Sequence, residues 1–403
     1  MDDIYIGRQP IYDANLNVFA YELLFRSGKA SNEANVIDGD SATTNVIINA
    51  ITEIGMDQLV GPHRAFINLT HNHILQMAEQ PLPELKDRLV LEILEDIKAE
   101  DAIVSAVHKL AQNGFTIALD DFIYSESLQP LVDISDIIKI DLMALNKEEL
   151  EQHVKILSDG KRKLLAEKVE TQEEFDHCKE LGFDYYQGYF FSKPQIIKGQ
   201  SLPANKVAIM KLLAKLLDND STTEELAQTI TQDVTMSMRV LRYINSAQFG
   251  FGHEVDSIQQ AIMMLGRSTI RNLANLVTMS QIEDKPHELL IISMIRAKMA
   301  DNIAALVKSD KEICFTTGLF SIIDTLMNSE MEVLIEGLPL TENIRAALIR
   351  REGELGKILN CVLAYESGDW KNVSYDGLSI NEIRDCYLNA LKWATDSEFL
   401  LKE

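Results

Sequence analysis

Several carboxylates in the first half of the sequence stand inside apolar runs. Glu92 lies in Leu89-Val90-Leu91-Glu92-Ile93-Leu94, Asp120 in Ile117-Ala118-Leu119-Asp120-Asp121-Phe122, and Glu167 in Leu164-Leu165-Ala166-Glu167-Lys168-Val169. Glu22, Asn68, Lys139 with Asp141, and Gln187 fall near the ends of similar β-rich runs. A single acid at such a place is usually solvated or caps the next helix. That reading does not serve for the set. Converging carboxylates repel one another unless a cation binds between them. Oxygen ligands without Cys or His favour Mg²⁺ or Mn²⁺ over zinc. Two such ions beside a phosphodiester would activate a water and clamp the phosphate oxygens.

That chemistry needs elements that bring strand ends together. β-rich runs occur at 4–12, 18–25, 65–69, 89–94, 116–122, 137–142, 163–168 and 185–191, with helix-like stretches at 42–54, 102–113, 147–157 and 172–181. Gly114 and Gly182 follow two of these stretches, where a helix C-cap belongs. Strands alternating with helices imply a mostly parallel sheet. Eight such runs suggest a TIM-like (β/α)8 barrel, which keeps its chemistry at the C-terminal strand ends. The first two runs are separated only by Asp13-Ala14-Asn15 and so predict an antiparallel hairpin.

Lys198-Gly199-Gln200-Ser201-Leu202-Pro203 reads as a linker. Beyond it the apolar spacing is helical at 207–217, 223–231, 236–244, 258–265, 268–279, 289–308, 315–327, 331–336, 342–350, 355–365 and 380–395. Ser221 or Thr222, Ser257, Thr341 and Ser379 are suitable N-caps. The expected fold class is thus α/β followed by all-α, with a first domain over 1–197 and a second over 198–403.

The chain has 403 residues, with 38 Lys+Arg against 62 Asp+Glu and a formal net charge of −24. No large cationic field is available for nonspecific nucleic-acid binding. No apolar stretch is long enough to predict a membrane span. The start, Met1-Asp2-Asp3, lacks the basic region of a signal peptide. Cys178, Cys314, Cys361 and Cys386 have no CxxC spacing, which points to a reduced cytoplasm rather than a zinc knuckle or disulfide framework.

Gln9-Pro10-Ile11 and Tyr21-Glu22-Leu23-Leu24-Phe25-Arg26 resemble the opening of the EAL domain family of cyclic-di-GMP phosphodiesterases. Phe66-Ile67-Asn68-Leu69, Leu91-Glu92-Ile93-Leu94-Glu95, Ala118-Leu119-Asp120-Asp121-Phe122, Lys139-Ile140-Asp141, Ala166-Glu167-Lys168-Val169-Glu170-Thr171 and Gln187-Gly188-Tyr189-Phe190 follow in the family's order. The resemblance implies that Glu22, Asn68, Glu92 and Asp120 hold one Mg²⁺ or Mn²⁺, and that Asp120, Asp121 and Glu167 serve a second. It places Glu167 close to the attacking water, makes Lys139 orient that water, and gives Gln187 a role in positioning the water or the metal shell. Gln9, Leu24, Arg26 and Asp141 would contact the dinucleotide, and Glu95 and Glu170 would brace the loop after Asp121. The implied reaction is hydrolysis of one phosphodiester of cyclic-di-GMP to linear pGpG.

Three departures bear on that expectation. The family's Glu-Ala-Leu is Glu22-Leu23-Leu24, its glycine-containing loop is Ile123-Tyr124-Ser125-Glu126-Ser127, and Lys168 replaces a glycine. β-Branched Ile123 removes backbone freedom from the loop. Strand alternation places Lys168 on the face opposite Glu167, sparing the metals. Alternatively, its ammonium reaches into the site and stands in for one of them. A retained ligand set with a degenerate loop implies hydrolysis that is weak or conditional.

In the helical half, Met238 to Gly250, Ser257 to Gly266 and Glu224-Glu225-Leu226-Ala227 resemble the HDOD domain family. That family descends from HD-type phosphohydrolases and lacks their ligands. Here Ser321 and Ile322 stand where the His-Asp doublet would be, which disfavours a nucleotidase in this half. Asn245-Ser246 reads as a side-chain hydrogen bond closing a helix, with a pocket element as the alternative. Met263, Met264, Met294, Met299 and Met327 read as core, with an adaptable docking surface as the alternative. Arg345, Arg350 and Arg351 read as a solvated face, with a nucleotide or acidic partner as the alternative. Two functions follow from the combination. One is a cyclic-di-GMP phosphodiesterase whose HDOD half supplies homodimerisation or a protein partner. The other is a catalytically inactive adaptor that works through protein contacts.

Overall fold

The computed structural model describes residues 4–27, 54–158, 160–188, 202–218, 220–246, 254–282 and 285–398. The chain divides into two compact units, the first ending at Phe191 and the second beginning at Ser192, with a short segment around Glu366–Gly368 apart.

The first unit is a closed barrel of β1 (Ile4–Asp13), β2 (Val18–Ser27), β3 (Arg64–Leu69), β4 (Leu89–Ile93), β5 (Thr116–Leu119), β6 (Ile137–Asp141), β7 (Lys163–Glu167) and β8 (Tyr185–Tyr186). β1 runs antiparallel to both β2 and β8, and the remaining neighbours are parallel. The Asp13 carboxylate shapes the hairpin turn by accepting from the amides of Asn15 at 2.8 Å and Asn17 at 2.9 Å. Helices Asp101–Gln112, Lys147–Leu157 and Gln172–Glu180 fall where the apolar spacing predicts them. The predicted helix over 42–54 lies outside the described residues except at Ile54.

Strand alternation explains why the barrel carries polar groups at one end. Ala20, Phe66, Val90, Ala118, Ile137 and Leu165 form one buried apolar cluster with Ile11. Two residues beyond them stand Glu22, Asn68, Glu92, Asp120, Lys139 and Glu167. Asp120 is one residue past β5, but its amide still donates to the Ile93 carbonyl of β4 at 2.9 Å, which continues the strand's alternation. A period of two puts each pair on the same face. The lower layer of the interior is hydrocarbon, and the layer above it is ionic.

The barrel closes where β1 pairs with β8, Tyr12 with Tyr186 and Asp13 with Tyr185, and the chain leaves β8 through Gly188, at φ 154°. A β-carbon there would lie 2.3 Å from the Val169 carbonyl oxygen and 2.4 Å from its amide nitrogen. The same stretch is pinned by the Val169 amide, which donates to the Gln187 carbonyl at 3.0 Å.

The second unit is helical, from Ala204–Leu217 to Ile380–Ser397. Its long helix His287–Val307 is buried along most of its length and packs against Lys311–Phe320 and Ile380–Ser397. Met294, Met299 and Met327 are in this core, whereas Met263 is 79% exposed and does not belong to it. The predicted helix over 315–327 is broken into Lys311–Phe320 and Ile323–Met327. The Ser321 hydroxyl donates to the Gly318 carbonyl at 2.7 Å, which ends the first helix. Asn245 closes its helix as expected: its side chain accepts from the Val255 amide at 2.8 Å and donates to the Val255 carbonyl at 3.0 Å. His253, which beside a turn is expected to be a surface residue rather than a ligand, lies outside the described residues. Arg345 and Arg351 donate to backbone carbonyls, and Arg350 pairs with Glu342 and Glu352.

Gly188→Ala should lower unfolding stability by about 2 kcal/mol or more, because the new methyl has no room beside Val169. Urea denaturation measures this, and a change below about 0.5 kcal/mol would contradict the close approach.

Candidate active site

The ammonium of Lys139 is the centre of the site. Its Nζ lies 2.6 Å from Glu92 Oε1, 2.6 Å from Asp120 Oδ1, 2.9 Å from Glu167 Oε1 and 3.5 Å from Glu22 Oε2. The Lys139 side chain is 1% exposed and that of Glu92 is fully buried. Lys139, Glu22, Glu92 and Glu167 come from four strands, and Asp120 from the residue just past β5. Asn68 is level with Glu92 across β3–β4, and Asp141 with Glu167 across β6–β7.

Amides at the barrel seam orient Glu22. Gln187 Nε2 donates to Glu22 Oε2 at 2.8 Å and to Gln9 Oε1 at 3.2 Å. Asn68 Nδ2 donates to Glu22 Oε1 at 3.3 Å. Gln9 and Glu22 are cross-strand partners, so the hairpin register fixes this link. Leu24 is half-buried on the same side of β2, beyond Glu22. The side chain of Arg26 lies outside the described residues.

A second ammonium stands beside the first. Lys168 Nζ pairs with Asp141 and lies 3.5 Å from Asp121 Oδ2. The expectation that strand alternation turns Lys168 away fails here, because β7 ends at Glu167. Lys168 takes a left-handed backbone, φ 56°, and so does Asp121, φ 41°. Alternation does not extend past the end of a strand, and the left-handed turn redirects the side chain.

The loop after Asp121 is held by its own bonds. The Phe122 amide donates to the Lys139 carbonyl at 2.9 Å, and the Tyr124 amide to His153 Nε2 at 3.2 Å. The Tyr124 hydroxyl donates to Gln129 Oε1 at 2.9 Å. Ile123 is 54% exposed. Glu95 and Glu170 are exposed, and the bonds just named do not involve them. His153 carried no sequence signal, since its partner is 29 residues away.

Burial pushes the Glu167 carboxyl up to about 8; Lys139 opposes the shift, and Asp120 and Glu22 add to it. Burial likewise raises Asp120, and raises Glu92 well above the usual range. Burial also pushes Glu22 up, but Lys139, Gln187 and Asn68 outweigh it and hold that carboxyl low. Burial pulls Lys139 down, yet the surrounding carboxylates lift it well above an ordinary lysine.

The donor set fits a hard divalent cation. Glu92 Oε2, Glu167 Oε2, Asn68 Oδ1 and Gln187 Oε1 are buried oxygens with no hydrogen-bond partner among the described residues. All four are acceptors, and an orphaned buried acceptor calls for a cation or a donor. Among the described residues no three His, Cys or acidic side chains are grouped tightly enough to chelate an ion as they stand. The carboxylates are instead drawn around Lys139. When all are ionised, Glu22, Glu92, Asp120, Asp121, Asp141 and Glu167 face Lys139 and Lys168, six charges against two. The four that remain match two divalent ions. Glu22, Asn68, Glu92 and Asp120 could hold one, and Asp120, Asp121 and Glu167 another.

Two outcomes follow. Lys139→Met leaves buried carboxylates uncompensated and should cost about 3–5 kcal/mol in metal-free buffer; urea unfolding within 1 kcal/mol of wild type would contradict the pairing. A ligating carboxylate must lose its proton. With Glu167 at about 8, apparent Mn²⁺ affinity should climb from pH 6, by up to about tenfold per pH unit for one displaced proton, and level off above about 8. Calorimetry across that range checks the slope, and a flat profile would contradict it.

Comparison with known proteins supplies the family. An EAL domain model matches residues 5–194, and an HDOD domain model matches residues 202–350. The cyclic di-GMP phosphodiesterase CdgJ of Vibrio cholerae is 32% identical over 406 residues, covering 98% of this chain and 94% of that one. YuxH of Bacillus subtilis is 34% identical over 404 residues, covering 97% and 98%. A standalone EAL protein of Vibrio cholerae, solved in a c-di-GMP bound form, is 22% identical with a TM-score of 0.36, covering 48% of this chain and 92% of that one. With both domain models matched in order and a relative aligned end to end, the chain belongs to the EAL–HDOD family.

Proposed function

We propose that the barrel is a divalent-metal phosphodiesterase that opens one ester of cyclic-di-GMP to give linear pGpG. The observation that carries the reading is the ring of buried, acceptor-only oxygens around Lys139 at the C-terminal strand ends. The name of the Vibrio cholerae relative gives the substrate class. Mg²⁺ or Mn²⁺ fits the all-oxygen donor set and, when bound, supplies Lewis acidity to the phosphate and acidity to a water.

The chain's own residues do the rest. Glu167 accepts the proton of the attacking water as that oxygen bonds to phosphorus; the ester P–O bond breaks, its electron pair stays with the departing ribose oxygen, and solvent protonates that oxygen. Glu167 must lose its own proton for metal to bind, which leaves that carboxylate ionised and able to act as the base. Lys139 orients the water and offsets charge as it builds on phosphate oxygens. Gln187 keeps Glu22 in place through its 2.8 Å bond. Gln9, Leu24, Arg26 and Asp141 contact the dinucleotide.

A second reading has its own observation. Lys168 already pairs with Asp141 and reaches Asp121, which favours a barrel that binds without turnover and acts as an adaptor. For the helical half we propose a protein-contact role, in homodimers or with another protein. Exposed Val234 and Met238, one turn apart, support it. Four free cysteines and the absence of a membrane-crossing helix among the described residues support a cytoplasmic setting.

Incubation with cyclic-di-GMP and Mn²⁺ or Mg²⁺, with pGpG followed by chromatography, tests the proposal. Product should form in wild type, and Glu167→Gln should lower kcat by about 10²-fold or more. Turnover that survives unchanged in Glu22→Ala and Glu167→Gln would place the chemistry elsewhere. Binding without product would favour the adaptor.

A further inference from the structure

The two ammonium groups of the site differ in kind. Lys139 is sealed inside the barrel on strand β6, surrounded by four carboxylates. It cannot leave without breaking the core. Lys168 sits outside the strand, its side chain 46% exposed, on a stem of four carbons. It reaches inward because its backbone is left-handed, a conformation a residue with a β-carbon adopts at a cost. The neighbouring backbone sustains that conformation. The Leu142 amide donates to the Glu167 carbonyl at 3.2 Å, and the Val169 amide to the Gln187 carbonyl at 3.0 Å, on either side of Lys168.

The contacts made there are those a cation would make. Lys168 Nζ bridges Asp141 and Asp121, from the ends of two different strands. Beside it, Glu167 is buried with Oε2 lacking a hydrogen-bond partner among the described residues. A divalent ion shared by Asp121 and Glu167 would stand a few ångströms from that ammonium. Two positive charges at such a distance repel strongly in a partly buried place.

Resting on the reading of the barrel as a divalent-metal site, we infer that Lys168 is a built-in, displaceable cation that occupies the second-ion position. The barrel then binds one divalent ion firmly through Glu22, Asn68, Glu92 and Asp120, where three carboxylates outnumber the single fixed ammonium of Lys139. It admits a second through Asp120, Asp121 and Glu167 only when the Lys168 stem swings to solvent. Anything that draws the ammonium outward, such as an anionic group at the barrel mouth, would complete the two-ion site.

Calorimetric titration with Mn²⁺ alone, paired with electron paramagnetic resonance, separates the outcomes. Wild type should bind one ion firmly and give the signal of isolated Mn²⁺. Lys168→Gly, which relieves the left-handed backbone and removes the charge, should bind a second ion at least about tenfold more tightly than wild type, with the exchange-broadened signal of ions about 4 Å apart. Lys168→Met keeps the β-carbon and stem, removes only the charge, and should gain the second ion as well. Lys168→Arg should behave as wild type. Circular dichroism checks each variant's fold, and Lys168→Asn, which tolerates a left-handed backbone, replaces the Met variant if that one unfolds.

A second ion gained by Lys168→Gly but by neither neutral, non-glycine variant would assign the effect to the backbone and overturn the inference. Two firmly bound ions in wild type would overturn it too, while leaving the metal-site reading intact. No bound Mn²⁺ in any variant would overturn both.

Discussion

A fully buried ammonium held by four carboxylates is the constraint on which the barrel depends. Lys139 and its partners come from separate strands, so the pairs form only when every parallel register is right. Charges taken out of water are tolerable when compensated and costly when not. This cluster is undercompensated by the protein alone, with acceptors to spare at Glu92, Glu167, Asn68 and Gln187. Fold stability and cation affinity are therefore coupled: burial raises Glu92, Asp120 and Glu167 toward neutrality in the metal-free barrel, and their ionisation is what a bound cation requires.

Much of this was legible in the sequence, for a simple reason. A strand facing the barrel interior shows one residue in two, so an acid two places beyond a core residue must share its face. Glu92 after Val90, Asp120 after Ala118 and Glu167 after Leu165 follow that rule. The turn at Asp13 and the helices capped by Asn146 and Thr171 were likewise local matters, fixed by side chains a few residues apart.

What was not legible lies just past the strand ends. Lys168 and Asp121 take left-handed backbones set by hydrogen bonds from distant loops, and no local pattern announces them. The grip of His153 on the loop at Tyr124 is also long-range. Ile123 looked like a defect in that loop, yet the chain accommodates it by exposing it. In the helical half, the break at Ser321 interrupts an apolar pattern that ran on unchanged, because a hydroxyl bond to Gly318 ends the helix without altering hydrophobic spacing. Ser321 also accepts from buried Arg296 at 3.3 Å, so the break is held by side-chain hydrogen bonding as well.

The central claim is that the strand-end oxygens around Lys139 are a divalent-cation site. Anomalous diffraction at the manganese edge, from crystals grown with Mn²⁺, tests it most directly. The account predicts a strong peak among Glu22, Asn68, Glu92 and Asp120. Ordered density for those side chains with no peak among them, or peaks confined to the protein surface, would contradict it.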